Sequence, residues 1–235
     1  MGVFPVVNES VTATEVLPKV ALSYAFSPWV NAYVSASKGW QPGGINDDAF
    51  LTEEDKARGL FYTPETLWNY EIGFKNVNFD ETLSWHISAF YSRAKDWHEM
   101  SFLRDEETGE AASTSVIINA AELESQGAEL ELTWRATTNL TLSSGLGYTD
   151  SEYKEFKLMY LDLDNKRVQD AVDVLDASLE WEVSPFTVTL FAENIFDKYY
   201  FNGQAFSDFV LPVEGVYFSS PAPPRRVGIA LSVAL

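Results

Sequence analysis

The sequence predicts an all-β fold, a partial antiparallel transmembrane β-barrel in which about nine strands run up and down as a meander. Three observations predict it. Apolar and polar residues alternate along most of the chain, as in strands with one apolar face. Short turns and long polar connections follow one another regularly, and aromatic residues cluster near both ends of the strands. A soluble sandwich whose aromatic residues fill a core does not predict the last two features.

Period-two alternation locates the strands. In the first strand Val20, Leu22, Tyr24 and Phe26 share an apolar face, and small or polar residues separate them. No helical period competes over a useful length. The fifth strand is long, and we expect it to bend or break near Ser125-Gln126-Gly127. The nine predicted strands are 17–26, 30–40, 66–76, 82–97, 113–136, 140–153, 171–183, 187–200 and 226–235.

The connections are of two kinds. Short turns are expected at about 27–29, 76–80, 136–139 and 184–186, and long polar loops at about 41–65, 98–112, 154–170 and 201–225. This arrangement is typical of outer-membrane barrels, whose short turns are periplasmic and whose long loops are extracellular. Trp134 and Trp181 then lie near the periplasmic ends of their strands, and Trp68, Trp97 and Tyr148 near the extracellular ends. Amphipathic rings are favoured at both interfaces.

Composition excludes several classes of protein. There are no cysteines, which rules out disulfide scaffolds and thiolate metal sites. The formal net charge of −19 argues against a nucleic-acid partner, because phosphate binding needs clustered Lys and Arg. A hydrophobic share of 46% is too high for a disordered chain. No apolar run reaches the roughly 18 residues of a transmembrane helix.

The acidic and histidine residues do not indicate a reactive site. Glu129 and Glu131 are two residues apart on one strand face, about 7 Å between Cα atoms. A polar lumen wall accounts for such pairs better than a glycosidase site does. His86 and His98 are too far apart on one strand to share a zinc ion, and we expect His86 in the lumen and His98 in a loop. We therefore predict no enzyme activity, no catalytic residue, no cofactor and no metal site.

Short motifs lie within several strands or at their ends. They are Trp40-Gln41-Pro42-Gly43-Gly44-Ile45-Asn46, Tyr70-Glu71-Ile72-Gly73-Phe74-Lys75, Asn119-Ala120-Ala121 with Gly127-Ala128-Glu129-Leu130-Glu131, and Asn194-Ile195-Phe196-Asp197-Lys198-Tyr199-Tyr200. In this order, they resemble segments of TonB-dependent outer-membrane receptors of the iron-complex (siderophore) type, similar to pesticin/yersiniabactin receptors. The resemblance covers residues 17–235. It departs at Leu235, where the family usually has an aromatic residue that the barrel-assembly machinery recognises.

Two of these motifs have a physical reason of their own. Pro42-Gly43-Gly44 is suited to end a strand and permits positive φ. Asn194 and Asp197 can bond to local backbone and shape a strand exit. We expect structural roles for both rather than contact with a ligand.

An odd number of strands predicts that the barrel is incomplete, since single-chain bacterial barrels have even numbers. At about 26 residues per strand, a 22-strand barrel needs roughly 570 residues, of which this chain would supply the C-terminal two-fifths. We expect residues 1–16 to be the end of an extracellular loop and residues 17–235 the C-terminal part of the barrel. The plug domain would be absent.

The resemblance implies a receptor of the Gram-negative outer membrane for TonB-energised uptake of iron–siderophore complexes or a similar scarce solute. Its partners would be outer-membrane lipid, the small ligand, the barrel-assembly machinery and, through the missing plug domain, the TonB complex. The alternatives are a passive porin-like or adhesin-type barrel and a soluble carbohydrate-binding β-sandwich.

Ligand contacts are expected in the extracellular loops, because loops on a rigid barrel usually carry binding residues. The candidates are Tyr62, Phe102, Tyr160, Phe206 and Tyr217. Packing within the loop is the alternative for each of them.

Overall fold

The computed structural model describes residues 10–46, 61–78, 80–104, 111–158, 161–162, 170–206 and 217–234. Within these ranges no helix has the length and hydropathy that crossing a membrane requires. The strands are β1 Lys19–Ser27, β2 Val30–Gln41, β3 Gly44–Ile45, β4 Phe61–Tyr62, β5 Glu65–Val77, β6 Leu83–Arg104, β7 Ala111–Thr137, β8 Leu140–Leu158, β9 Leu161–Asp162, β10 Val172–Val183, β11 Phe186–Glu193, β12 Phe201–Phe206, β13 Tyr217–Pro221 and β14 Arg226–Val233.

Nine of these strands form one antiparallel meander in the order β1-β2-β5-β6-β7-β8-β10-β11-β14. The short strand β9 pairs with the end of β8, and β3–β4 and β12–β13 are separate pairs in the long connections. This confirms the predicted all-β meander. We call the end of the sheet with the short connections the turn end and the opposite end the loop end.

Several predicted boundaries were wrong. The eighth predicted strand ends at Glu193 and not at residue 200, because Asn194 has a φ of 48° and leaves the ladder. The predicted loop 98–112 is mostly strand, since β6 continues to Arg104 and β7 begins at Ala111. Strand β7 also continues unbroken through Ser125-Gln126-Gly127, and its two register shifts against β8 lie elsewhere, at Glu122/Leu123 and at Arg135/Thr137.

One face of the sheet, the outer face, is apolar. Cross-strand register aligns residues of seven neighbouring strands into a row: Tyr24, Ala32, Phe74, Ile87, Leu130, Leu146 and Leu175. Leu22 is 68% exposed and Leu231 is 67% exposed, so this face is not covered by protein among the described residues. Exposed apolar surface costs about 25 cal/mol per Å² in water. The outer face therefore fits hydrocarbon, and no second sheet layer of a sandwich lies against it in the described ranges.

Aromatic side chains lie on the outer face at both ends, as predicted. At the turn end they include Trp134, 47% exposed, and Trp181, 49% exposed. At the loop end Trp68 and Tyr70 stack with ring centroids 6.0 Å apart, and Tyr70 and Tyr91 stack at 6.4 Å. Trp97 was expected in this girdle, but it packs in a small core beyond it.

The opposite face, the inner face, is polar and contains glycines that receive aromatic rings. A Cβ on Gly73 would lie 2.5 Å from the Tyr33 ring, and one on Gly127 would lie 2.6 Å from the Phe90 ring. Each ring covers the exposed backbone of a glycine on the neighbouring strand. This packing fixes the register between the two strands. Gly145 differs, because nothing lies within 4 Å of its added Cβ.

Strands β6, β7 and β8 extend beyond the wall at the loop end. Pairing of β6 with β5 stops at Lys95, and Asp96 has a φ of 56° at a register shift. We call residues 96–104 of β6 and residues 111–121 of β7 the projecting hairpin. Ala120 and Ala121 of the hairpin form an apolar core with Phe156 of β8, and Trp97, Ile118 and Tyr153 pack against them. Phe156 is fully buried, unlike any large side chain of the outer face.

The close contact at Gly127 gives a test of the wall. A Cβ there would be 2.3 Å from the carbonyl oxygen of Tyr148, a backbone atom that cannot yield. We expect Gly127→Ala to lower the stability of the folded barrel by about 1–3 kcal/mol. Gly145→Ala is the matched control, with an expected change within about 0.5 kcal/mol. Urea unfolding in lipid vesicles measures both, and equal losses would refute the contact.

Adjacent residues on β7 test the two faces. Leu130 lies on the outer face and Glu131 on the inner face. We expect Leu130→Arg to cost about 2–4 kcal/mol, because a charge near the bilayer midplane is strongly disfavoured. Glu131→Arg places the same side chain in a polar lumen and should cost far less. The folded fraction on a gel run without heating reports the outcome, and similar losses for the two variants would contradict the assignment of faces.

Candidate ligand-binding site

The candidate site lies at the loop end, where the connection between β2 and β5 contacts strands β6 and β7. The first connection is held together at its base by β3 and β4, which pair Gly44 with Tyr62 and Ile45 with Phe61. We call residues 42–46 and 61–65 the neck of this connection. A Cβ on Gly43 would be 2.2 Å from the carbonyl oxygen of Tyr62, so only glycine permits this approach.

Two asparagine side chains attach the neck to the projecting hairpin. The Asn46 side chain donates Nδ2–H to the carbonyl oxygen of Ile117 at 2.8 Å, and its Oδ1 accepts the Ile117 N–H at 2.8 Å. In the other direction, Asn119 Oδ1 accepts the Thr63 N–H at 2.7 Å, and Asn119 Nδ2 donates to the Thr63 carbonyl at 2.9 Å. Asn119 Nδ2 also donates to the carbonyl of Asp96 at 2.7 Å.

His98 makes a third connection to the neck. Its Nε2 lies 2.7 Å from the carbonyl oxygen of Thr63, and its backbone N–H donates to Glu65 Oε2 at 2.9 Å. Its Nδ1 lies 3.4 Å from the amide nitrogen of Gln41. The Tyr62 ring meets the His98 ring edge-on at 5.0 Å between centroids. His98 was expected in a loop, but it belongs to β6, and its side chain is only 7% exposed.

A half-buried acid, Glu99, lies beside the core of the projecting hairpin. Burial raises the pKa of Glu99, although hydrogen bonds with Tyr153 and Trp97 oppose this shift. The hydroxyl of Tyr153 lies 3.4 Å from Glu99 Oε1. Burial and the neighbouring Glu99 charge also raise the pKa of Tyr153 well above its usual range.

The upper part of the inner face is lined by neutral polar side chains. Register places five of them in one row across five strands: Ser37, Asn69, Ser92, Ser125 and Ser151. The Ser92 hydroxyl donates to Asn69 Oδ1 at 2.7 Å, and the Ser151 hydroxyl lies 2.9 Å from that of Ser125. Such a row presents rotatable donors and acceptors to a solute without a fixed charge.

The lower part of the inner face carries an excess of carboxylates. Tyr33 donates its hydroxyl hydrogen to Glu71 and lies 3.0 Å from His86 Nε2, whose Nδ1 is 3.6 Å from Glu131. His86 therefore lies on the inner face, as predicted. Inner-face carboxylates outnumber cations: the acids are Glu71, Glu129, Glu131, Asp176, Glu180, Glu182 and Glu193, and the bases between β5 and β14 are Lys75, Arg135 and Arg226.

A recess of about 430 Å³ opens in this acidic part of the wall. Glu131, Asp176 and Phe191 are among its lining residues, and the bare backbone of Gly145 forms part of its floor. The cross-strand row Glu131, Gly145, Asp176 places the two carboxylates on either side of the glycine. In the described part of the chain no group of three acidic or histidine ligands could hold a metal ion.

The exit of β11 has the local bonding that the motif indicated. Asn194 is 4% exposed, and its Nδ2 donates to the carbonyls of Lys198 at 2.9 Å and Pro223 at 3.2 Å. Its backbone N–H donates to Asp176 Oδ1 at 2.7 Å. Asp197 Oδ1 accepts the Arg225 N–H at 3.1 Å, next to the start of β14. These contacts are structural, as expected for Asn194 and Asp197.

The predicted ligand-binding residues are not brought together by the described structure. Tyr62 lies in β4, where its ring packs on His98 and Gly44. Phe102 belongs to β6, Phe206 to β12 and Tyr217 to β13, so these three lie on strands rather than in loops. Tyr160 lies outside the described residues. Ligand contact remains a prediction for all five.

Sequence reasoning missed Asn46, Asn119 and His98 as a group. Asn46 and Asn119 each belonged to a recognised motif, but no signal in either motif pointed to the other. Asn46 and Ile117 are separated by 71 positions, and Thr63 and Asn119 by 56.

Comparison with known proteins identifies the family of this sheet. A family model described as TonB dependent receptor-like, beta-barrel matches residues 3–218. The chain belongs to this family. TonB-dependent receptors are transport receptors in the outer membrane of Gram-negative bacteria, so the chain is an outer-membrane protein and not an enzyme.

Relatives of known function are similar over a part of their length. The metal-pseudopaline receptor CntO of Pseudomonas aeruginosa is 26% identical over 151 residues, which are 64% of this chain and 19% of CntO. The ferric yersiniabactin uptake receptor FyuA of Yersinia pestis superposes with a TM-score of 0.55 at 18% identity, covering 93% of this chain and 37% of FyuA. The pyoverdine receptor FpvA of P. aeruginosa has a TM-score of 0.52 at 14% identity, with coverage of 93% and 36%. The chain thus spans about a fifth of its curated relative, and the structures support the barrel fold.

The half-buried Glu99 predicts that the stability of the projecting hairpin depends on pH. A carboxyl whose pKa is higher in the folded state than in the unfolded state favours the folded state when it is protonated. Its full stabilising contribution is present below the unfolded-state pKa, and it is lost as the pH rises through the folded-state pKa. Between these two pKa values, the equilibrium constant for local opening of the hairpin should rise about tenfold for each pH unit. We expect a cysteine introduced at the buried Ala120 to react faster with thiol reagents as the pH rises through this interval, after normalisation to denatured protein.

Glu99→Gln should remove this dependence, and Glu155→Gln, at an exposed position on β8, should keep it. The absence of native cysteines leaves no background labelling. A slope that survives Glu99→Gln would assign the pH dependence to another group.

Proposed function

We propose that this chain is the C-terminal barrel part of an outer-membrane receptor that takes up a metal chelate, an iron–siderophore complex or a similar scarce solute, with energy supplied by TonB. The observation that carries the proposal is the two-faced sheet. Its outer face fits lipid, and its inner face is a mostly polar wall that carries hydroxyl, amide and carboxylate groups. A wall of this kind supports passage of a hydrated solute.

The similar proteins support the substrate class. CntO is a metal-pseudopaline receptor, and FyuA is an uptake receptor for ferric yersiniabactin. The loop-end neck and projecting hairpin provide a structured surface beyond the wall, where an approaching solute would first meet the protein. Aromatic and polar residues there, Tyr62 among them, are the proposed contacts.

The proposal includes the wider architecture. Residues 17–235 would form about nine strands of a roughly 22-strand barrel, with residues 1–16 ending an extracellular loop. The turn end would face the periplasm and the loop end the exterior. A plug domain outside this chain would connect the receptor to TonB, and the barrel-assembly machinery would insert it.

Energy coupling distinguishes this function from that of a passive barrel. We expect cells that express the whole receptor to take up radioactive iron supplied on the siderophores of their own iron-starved medium. Deletion of TonB should reduce uptake to the level of cells without the receptor, because a coupled receptor does not release its solute inward unaided. Surface binding should remain.

A matched strain that lacks only the receptor gives the baseline. Uptake that persists without TonB would indicate the passive, porin-like alternative. Loss of binding together with uptake would indicate that TonB deletion had removed the receptor itself, and immunodetection of the receptor in the membrane separates these results.

A further inference from the structure

Two sequence motifs that are far apart in the chain meet in one junction at the loop end. The Pro42-Gly43-Gly44-Ile45-Asn46 motif forms one side of the neck, and the Asn119-Ala120-Ala121 motif lies in the projecting hairpin. We propose that Asn46 and Asn119 are positioning residues that fix the neck against the hairpin, and that this junction sets the geometry of the receptor's ligand entrance. The second part rests on the proposed function.

The junction is reciprocal. The asparagine of each segment binds both backbone groups of a single residue in the other segment: Asn46 binds the N–H and C=O of Ile117, and Asn119 binds those of Thr63. An amide side chain carries one acceptor and two donors, so it complements a backbone N–H and C=O pair in the way that a neighbouring strand would. The two segments are therefore joined by side chains where no strand pairing joins them.

The backbone of β7 needs such a partner at this point. Its pairing with β8 ends at Ala121 and Phe156, and Ile117 lies beyond that end. Asn46 supplies the missing acceptor and donor, and it is itself only 8% exposed. The buried Asn46 amide hydrogen-bonds to both backbone groups of its partner residue. It therefore favours one position of the neck against the hairpin, because a shift between them would leave buried polar groups without hydrogen bonds.

The opposite side of the junction is equally constrained. Asn119 Nδ2 donates to the carbonyl oxygen of Asp96 as well as to that of Thr63. Asp96 is the residue with positive φ at which the hairpin leaves the wall. His98 Nε2 meets the same Thr63 carbonyl at 2.7 Å. The neck is thereby tied to both strands of the hairpin, β6 through His98 and β7 through Asn119.

The junction lies between the wall and the outside. The neck connects β2 with β5, and the hairpin extends from β6 and β7. The junction therefore links the loop ends of four neighbouring strands of the wall. Directly below, the row of Ser37, Asn69 and Ser92 lines the inner face. A solute that reaches this row passes the junction, and its position sets the width of that route.

Replacement by aspartate tests the junction with little change of shape. The variants Asn46→Asp and Asn119→Asp are made in the whole receptor. Either aspartate would keep an acceptor but lose the donor, and its carboxylate would face carbonyl oxygens, that of Ile117 in the first variant and those of Thr63 and Asp96 in the second. Asn139→Asp, the same change at a turn-end asparagine, is the matched control.

Hydrogen exchange of the purified receptor in detergent gives the first readout. We expect exchange of the segments around Thr63 and Ile117 to be about tenfold faster in Asn46→Asp and Asn119→Asp, and unchanged in Asn139→Asp. If either junction variant does not assemble, Asn46→Ser or Asn119→Ser removes the paired contact without adding a charge. Unchanged protection in assembled junction variants would overturn the positioning role.

Uptake kinetics give the second readout, with radioactive iron on the siderophores of the iron-starved parent medium as the probe. We expect the half-saturation concentration to rise at least about tenfold while the maximal rate per receptor is kept, because the entrance changes and the transport path does not. Faster exchange with an unchanged half-saturation concentration would confine the junction to a structural role and overturn its part in the entrance. If the unmodified receptor takes up none of the probe, the proposed function fails, and hydrogen exchange still decides the positioning role.

Discussion

The structure depends on one constraint: a sheet immersed in lipid must pair its backbone polar groups within the protein, since hydrocarbon offers no hydrogen bonds. The nine-strand meander meets this constraint because every strand between β1 and β14 in the sheet order is hydrogen-bonded to a neighbour on each side. Strict alternation follows, because a sheet with lipid on one face and water on the other needs an apolar side chain at every second position. Many large apolar side chains are consequently exposed on the outer face, Leu22 and Leu231 among them.

The same constraint explains why the outer face stops being apolar at the loop end, beyond the part of the sheet that lipid would surround. Above the aromatic girdle the outer face becomes charged, with Arg93 paired to Glu122 and Glu124 and Lys154 to Glu152 at 3.0 Å. Surrounding water then permits ordinary packing, and the projecting hairpin has a small core around Phe156 of the kind found in soluble proteins. The position of Asp96, where pairing with β5 has ended, marks the change between these two environments.

Sequence alone predicted the wall well, because alternation is a local pattern that lipid enforces at each residue. Strand β10, predicted at 171–183, was found at 172–183. The projecting hairpin was missed, since beyond the girdle both faces meet water or protein and alternation loses its meaning. His98 was expected in a loop for this reason. The neck junction could not be predicted either, because its partners are backbone groups 56 and 71 positions away, and a backbone group leaves no mark in the sequence.

Asparagine recurs at several places where the ladder ends. Asn78 accepts the Leu83 N–H at 2.7 Å in one turn, Asn139 donates to the Glu182 carbonyl in another, and Asn194 binds two carbonyls at the exit of β11. The reason is chemical: of the short side chains, the amide alone offers both a donor and an acceptor at backbone spacing, and it tolerates positive φ. At the turns it replaces one missing strand contact. In the neck junction two asparagines bind the backbone N–H and C=O groups of Ile117 and Thr63, and so they join two segments through side chains.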